Sequence, residues 1–144
     1  MRALLNHWLF WSLLSAIFAG LTAILAKVGV GEIDSNFATA IRTTVLLCFT
    51  WLVVAASKAP VSFTAISQRT WLFLIFSGLV GGLSWICYFH ALKLGPASRV
   101  APIDKLSVIF VIILAVLFLH ESVSWQQWIG GALIAGGAIL LASG

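Results

Sequence analysis

The chain alternates long apolar runs with short polar stretches, and this pattern predicts five membrane-spanning helices. A helix that crosses a bilayer needs about 20 mostly apolar residues. The runs that reach this length cover approximately residues 8–30, 37–56, 71–92, 97–119 and 125–142. The stretches between them are polar, as in GEIDSN after the first run and HESVS before the last. We therefore predict an all-α integral membrane protein, with one five-helix transmembrane domain over residues 1–144.

The ends of the runs carry tryptophans, which suit the headgroup level of a membrane. These are Trp8, Trp11, Trp71, Trp125 and Trp128. Trp51 and Trp85 lie deeper, where an indole most often packs against neighbours but can also stack on a substrate. The first run continues past Ala23 without a convincing cleavage site, so we expect an uncleaved span rather than a signal peptide.

Composition makes lipid the expected solvent. Hydrophobic residues make up 62% of the chain and charged residues only 8%, whereas a soluble protein has about a quarter charged residues. The net charge of +4 comes from Lys and Arg spread along the chain, which favours membrane edges over nucleic acid as the partner. Cys48 and Cys87 lie in apolar runs and fit no metal or disulfide spacing, so we expect no metal site and no cofactor.

Small residues in two runs predict close helix packing. Helices in lipid associate through close backbone contact, because burying apolar surface gains little there. Gly130, Gly131 and Gly137 lie in the last run, and Gly78 and Gly82 lie in the third. These glycines pack either within one bundle or against a second protomer. Because five helices leave little room for an interior path, we favour the second protomer for the last run and expect a homodimer.

Charged side chains inside the runs predict a transport path. A charge at the bilayer centre costs at least about 2.5–3.5 kcal/mol, so we expect each charged residue there to have a structural or functional role. If the helices alternate in direction, several polar groups fall within roughly 10 Å of one membrane face. The residues that we expect to line the path are Lys27, Arg42, Trp85, Tyr88, His90, Asp104 and Lys105.

Simpler interpretations exist for several of these residues. Lys27 is expected to extend its ammonium to the interface. Arg42 shares a polar stripe with four side chains, so an inward, functional arginine and an interfacial one both remain open. The stripe consists of Asn36, Thr39, Thr43 and Thr50.

The fourth run leaves two alternatives for Pro102. Either Pro102 opens the helix, which puts Asp104 in its first turn, or the helix begins near Ala97 and Pro102 kinks it and frees a carbonyl. Asp104 and Lys105 are adjacent, so we expect them to point about 100° apart and to pair poorly. His120 and the following glutamate are expected to cap a short loop.

The stretch ALKLGPASRVAPIDKLSVIFVIILAVLFLHES, followed by WQQWIGGALIAGGAILL, resembles the C-terminal part of an EamA-type domain of the drug/metabolite transporter superfamily. The first helix ending in Lys27 and the Arg42 near the start of the second fit as well. His120 replaces the glycine that usually precedes Glu121, so that turn is expected to differ. Most members carry two such domains, and this chain resembles the short five-helix bacterial or archaeal branch.

The resemblance implies secondary active transport of a small metabolite or drug across the cytoplasmic membrane. A protein of another class, a lipid-linked-sugar flippase component or accessory subunit paired with another small membrane protein, is the alternative. An enzyme is not expected, because the chain lacks the H-E-x-x-H, G-x-S-x-G and P-loop motifs. The expected partners are membrane lipid, a small-molecule substrate and a second copy of the chain.

The distribution of loop charges predicts insertion in both orientations. One side holds Arg2, Lys58 and Arg69, and the other holds Lys27, Lys93 and Arg99. Equal numbers give the positive-inside rule no preferred orientation. Many transporters combine two halves of inverted topology, so we expect an antiparallel homodimer.

Overall fold

The computed structural model describes residues 8–57, 63 and 66–144, and these residues form long helices. The helices are α1 (Trp8–Gly29), α2 (Ser35–Ala56), α3 (Gln68–Leu94), α4 (Ala97–Asp104), α5 (Ser107–Leu119) and α6 (Trp125–Ser143). Helices α4 and α5 together form one span of 23 residues, so the described part of the chain has five spans that are long and apolar enough to cross a membrane. The predicted fold class is confirmed. Arg2 and Lys58, which enter the charge count, lie outside the described residues.

Most large apolar side chains face outward, which is the arrangement that lipid requires. Leu25 and Leu133, for example, are each 71% exposed. Lipid tails replace protein neighbours around such side chains, while the helices satisfy their own backbone hydrogen bonds. The chain is therefore a multi-pass membrane protein. Among the described residues, the buried apolar ones are few: Ala23, Ala26, Val30, Ala38, Phe89, Leu92 and Ala138.

Polar caps determine where several spans begin. The Asp34 side chain accepts hydrogen bonds from the backbone N–H groups of Asn36 and Phe37, at 2.9 and 3.1 Å, and so starts α2. Ser124 and Gln127 form a capping box at the start of α6. Such caps satisfy N–H groups that have no partner within the helix.

The end of α5 is a left-handed turn at His120. This residue has φ 53° and ψ 33°, and it is the one non-glycine residue with positive φ in the described part of the chain. The N–H of Glu121 donates to the Ala115 carbonyl at 3.2 Å, which closes the turn. Glycine is favoured at such a position because it has no Cβ. His120 thus adopts a conformation suited to the glycine that it replaces.

The fourth span is interrupted near Lys105. Helix α4 begins at Ala97, so Pro102 lies inside it rather than at its start. Proline has no N–H, and the Ser98 carbonyl therefore lacks its usual donor four residues on. Beyond Pro102, the N–H groups of Lys105 and Leu106 donate to carbonyls only three residues back, both at 3.0 Å. Of the two alternatives for Pro102, the structure has the internal one.

The chain forms two compact units. The terminal unit joins the described part of Met1–Val28 to Leu94–Gly144, and in it α6 packs along α4 and α5. The middle unit is Gly29–Lys93 and contains α2 and α3. A single domain over residues 1–144 stays a prediction.

Candidate functional site

The middle unit holds an arginine stacked on aromatic rings. The guanidinium carbon of Arg42, on α2, lies 3.5 Å from the centroid of the Trp85 ring on α3 and 5.9 Å from that of Phe89. Tyr88 contacts Trp85 edge-on, with ring centroids 5.7 Å apart. Trp85, Tyr88 and Phe89 follow the i, i+3, i+4 spacing that places side chains on one face of a helix. We call these four residues the Arg42 cluster.

The surroundings leave the charge of Arg42 only partly compensated. Arg42 lies seven residues beyond the start of α2 at Ser35, which is about 10 Å along the helix axis. Its contacts in the described residues are with aromatic rings. Such contacts are worth about 0.5–2 kcal/mol, whereas an arginine at the bilayer centre costs roughly 2.5–3.5 kcal/mol. The rings alone therefore do not offset the cost of placing the charge deep in lipid.

The threonines of the predicted polar stripe use their hydroxyls within their own helix. Thr39 donates to the Ser35 carbonyl and Thr43 to the Thr39 carbonyl, both at 2.8 Å. Thr50 likewise donates to the Leu46 carbonyl at 3.0 Å. Among Arg42 and these three threonines, Arg42 is therefore the stronger candidate for binding a ligand.

His90 and Lys93 hold the start of α2 against the end of α3. The Nδ1 atom of His90 lies 3.4 Å from the hydroxyl of the buried Ser35. The ammonium of Lys93 donates to the Ile33 carbonyl at 2.7 Å. Both contacts connect the two helices of the middle unit close to their ends. His90 was predicted to line the transport path, and that role stays a prediction.

In the terminal unit, Asp104 and Lys105 form an ion pair at the break between α4 and α5. The Lys105 Nζ and Asp104 Oδ2 atoms are 3.3 Å apart. The expectation that these neighbours pair poorly was wrong, because Lys105 lies just outside α4 and its long side chain folds back. Side-chain exposures of 55% for Lys105 and 38% for Asp104 show that the chain itself covers this pair only partly.

Lys27 contacts a loop carbonyl within the terminal unit. Its ammonium donates to the Gly95 carbonyl at 2.8 Å, and the residue is partly buried. The expectation that Lys27 simply extends to the interface is therefore incomplete. Its hydrogen bond ties the end of α1 to the loop that precedes α4.

Grooves run beside α6 in the terminal unit. One, of about 450 Å³, is lined by Pro102, Lys105 and Gly137, among others. Another, of about 320 Å³, is lined by Glu121 and Gly130, among others. The groove walls are mostly apolar, which suits a hydrocarbon chain or another helix.

The glycines differ in their surroundings. A Cβ on the buried Gly131 would lie 3.0 Å from the Cδ1 atom of Ile112, so Gly131 allows α6 to approach α5 within the chain. At the other predicted packing glycines, no described atom beyond the neighbouring residues and backbone of the same helix lies within 4 Å of such a Cβ. These are Gly78, Gly82, Gly130 and Gly137. Their contact with a second protomer stays a prediction.

Sequence reasoning missed Phe89 and Ser35 as neighbours of the predicted site residues. The spacing of Trp85, Tyr88 and Phe89 was a usable signal for one aromatic face on α3. The two deep tryptophans have different neighbours. Trp85 lies beside Arg42, whereas the ring centroid of Trp51 lies 6.2 Å from that of Phe63. Within the described residues, no group of three or more His, Cys, Asp or Glu side chains is placed to hold a metal ion.

Five spans, an interrupted helix and charged side chains within the spans are typical of a membrane transporter. Residues 6–143 match the EamA-like transporter family, which covers nearly the whole chain. The chain belongs to this family of membrane transporters.

The relatives of the chain include named transporters and flippase subunits. A Sinorhizobium protein named "Uncharacterized transporter in cobO 3'region" is 57% identical over 137 residues, covering 95% of this chain and 97% of that protein. A Proteus mirabilis protein named "Probable 4-amino-4-deoxy-L-arabinose-phosphoundecaprenol flippase subunit ArnF" is 28% identical, covering 91% and 88%. An Escherichia coli O157:H7 protein named as the corresponding subunit ArnE is 34% identical, covering 60% and 80%. No solved structure matches.

Proposed function

We propose that this chain is a secondary active transporter that moves a small metabolite or drug across the cytoplasmic membrane as a dimer. The interruption of the fourth span at Lys105 carries the proposal. Discontinuous helices in transporters expose backbone groups to a substrate or coupling ion within the membrane. Here the interruption combines a Ser98 carbonyl without its usual donor and the Asp104–Lys105 ion pair.

The charges inside the spans support the same proposal. Asp104 lies seven residues beyond the start of α4, and Arg42 lies seven residues beyond the start of α2. Lipid tails offer such groups no hydrogen bonds, so charged residues within spans usually face a polar path. We propose that the path is lined by Arg42, Asp104 and Lys105, as the sequence predicts.

Transport assays in reconstituted vesicles test this proposal. The purified protein is screened with anionic, cationic and neutral solutes, with and without a pH gradient. Asp104→Asn and Arg42→Ala are expected to abolish uptake and leave membrane insertion intact. Arg69→Lys, near the start of α3, keeps the loop charge and is the control that should retain uptake. Full transport by both path variants would exclude the proposed path.

A flippase subunit is the second candidate, and the names of the ArnE and ArnF relatives favour it. A subunit works with a different partner chain, whereas the first proposal needs only copies of this chain. Vesicles that contain this chain alone distinguish the two. Inward movement of a labelled lipid-linked sugar only after a second membrane protein is added would favour the flippase subunit.

A further inference from the structure

We propose that the Arg42 cluster is a binding site for an anionic oxygen group, a carboxylate or a phosphate, on the transported compound. The inference rests on the proposed transport function and adds the substrate class to it. Arg42 supplies the charge and the hydrogen-bond donors. Trp85 positions the guanidinium and does not itself bind the anion.

The distance between Arg42 and Trp85 bears on the direction in which the guanidinium N–H groups point. A guanidinium carbon 3.5 Å from a ring centroid is at contact distance, which favours a parallel arrangement of the two planes because a perpendicular one would press N–H groups into the ring. The five N–H groups of arginine lie in the guanidinium plane. Stacking on Trp85 therefore leaves them pointing sideways, away from the ring. A planar fork of this kind matches the two oxygens of a carboxylate or phosphate.

Three lysines near the span ends already contact oxygen atoms. Lys27 donates to the Gly95 carbonyl, Lys93 to the Ile33 carbonyl, and Lys105 pairs with Asp104. Arg42 differs, since its contacts in the described residues are with Trp85 and Phe89. An anion from outside the protein would supply the kind of oxygen partner that these three lysines find within the chain.

The acids of the middle unit do not provide an internal partner in this structure. The Asp34 carboxylate accepts from the N–H groups at the start of α2. It lies two helical turns before Arg42 along the sequence, which is about 12 Å along the axis. The Arg42 cluster thus combines a half-buried cation with aromatic walls, which suit the organic part of a carboxylate or phosphate ester.

Protection of Arg42 from chemical modification tests the inference without measuring transport. The protein in lipid nanodiscs is treated with phenylglyoxal, and adducts at each arginine are quantified by peptide mass spectrometry. Benzoate and inorganic phosphate serve as soluble probes, and phosphatidic acid in the nanodisc serves as the lipid-headgroup probe. Tetraphenylphosphonium serves as the cationic control.

We expect at least one anionic probe to slow adduct formation at Arg42 about tenfold, with no change at Arg69 and Arg99. Protection only by the soluble probes indicates a dissolved substrate, and protection only by phosphatidic acid indicates a lipid headgroup. Trp85→Leu should reduce the protection, whereas Phe73→Leu should not. The inference would be overturned if adducts formed at Arg42 at the same rate with all probes, or if Arg69 were protected as strongly as Arg42. Protection without transport would keep the anion site and exclude the transport proposal.

Discussion

Arg42 stacks on Trp85 at 3.5 Å between its guanidinium carbon and the ring centroid, whereas Arg69 lies 5.7 Å from Phe73. The first contact joins α2 to α3, and the second lies within the first turns of α3 itself. Attraction between a cation and a ring is stronger when both are removed from water. Arg42 and Trp85 are both partly buried, while Arg69 and Phe73 are exposed.

The first prediction is an energetic coupling between Arg42 and Trp85. A double-mutant cycle with Arg42→Gln and Trp85→Leu should give about 1–2 kcal/mol of coupling in the free energy of unfolding. Denaturant unfolding of the purified protein in detergent micelles measures it. The matched cycle with Arg69→Gln and Phe73→Leu should give about 0.5 kcal/mol or less. Equal coupling in both cycles would contradict the closer packing of the Arg42 pair.

The second prediction concerns the left-handed turn at His120. Because a residue with a Cβ is strained at positive φ, His120→Gly should raise the free energy of unfolding by about 1 kcal/mol. His90→Gly is the control inside α3, where the lower helix propensity of glycine and the loss of the Ser35 contact should together lower stability by about 1 kcal/mol. Thermal unfolding in detergent detects both changes. A loss of stability with His120→Gly would show that the His120 side chain makes a contribution larger than the backbone strain.

The third prediction separates the glycines of α6. Gly131→Leu forces a side chain against Ile112 and should lower the free energy of unfolding by about 1–3 kcal/mol. Ile112→Ala in the same chain should restore part of this loss. Gly130→Leu and Gly137→Leu should leave the unfolding of the protomer nearly unchanged and lower the dimer fraction, measured by chemical crosslinking in bilayers. An unchanged dimer fraction would exclude these two positions from a protomer interface.

The fourth prediction concerns the interruption at Pro102. Pro102→Ala restores an N–H that can donate to the Ser98 carbonyl, and it should raise stability by up to about 3 kcal/mol. If the interruption forms part of the transport path, uptake should fall. Pro96→Ala is the control, because Pro96 is the N-cap of α4 and an N–H restored there has no carbonyl of the same helix to donate to. Full uptake by a stabilised Pro102→Ala protein would show that the interruption is dispensable.

The spans could be predicted from the sequence because apolar runs of sufficient length have one stable arrangement in lipid. The boundaries were less accurate, since caps such as Asp34 precede the apolar runs and start the helices earlier. The α2 helix begins at Ser35 rather than near residue 37, and α3 begins at Gln68 rather than near residue 71.

The contacts of the candidate site could not be predicted in the same way. The pairing of Arg42 with Trp85 depends on how α2 and α3 are rotated about their axes. Helices that face lipid are apolar on nearly all sides, so their sequences do not show which side faces the neighbouring helix. Pro102 is compatible with the first turn or the interior of a helix, so its sequence position alone did not determine where α4 begins.

The last prediction is that the chain inserts in both orientations and works as an antiparallel homodimer. Three loop cations on each side give no preferred orientation, and a single five-helix chain can reach an inverted arrangement only with an oppositely oriented partner. Removing one cation should therefore bias the orientation. Arg69→Gln and Arg99→Gln remove one from opposite sides and form a matched pair. Each is expected to lower transport alone, and their co-expression should restore it.

Cysteine labelling on intact cells measures this orientation directly. Ser67→Cys and Ser143→Cys, in a background without Cys48 and Cys87, report the two sides of the membrane and leave the charge count unchanged. An impermeant maleimide should label both positions partially in the otherwise unchanged protein. Arg69→Gln and Arg99→Gln should shift the labelling in opposite directions, because each makes one side less positive than the other. Complete labelling at one position and none at the other would establish a fixed orientation. A fixed orientation would exclude the antiparallel homodimer and make pairing with a different membrane protein, as in a flippase subunit, the leading function.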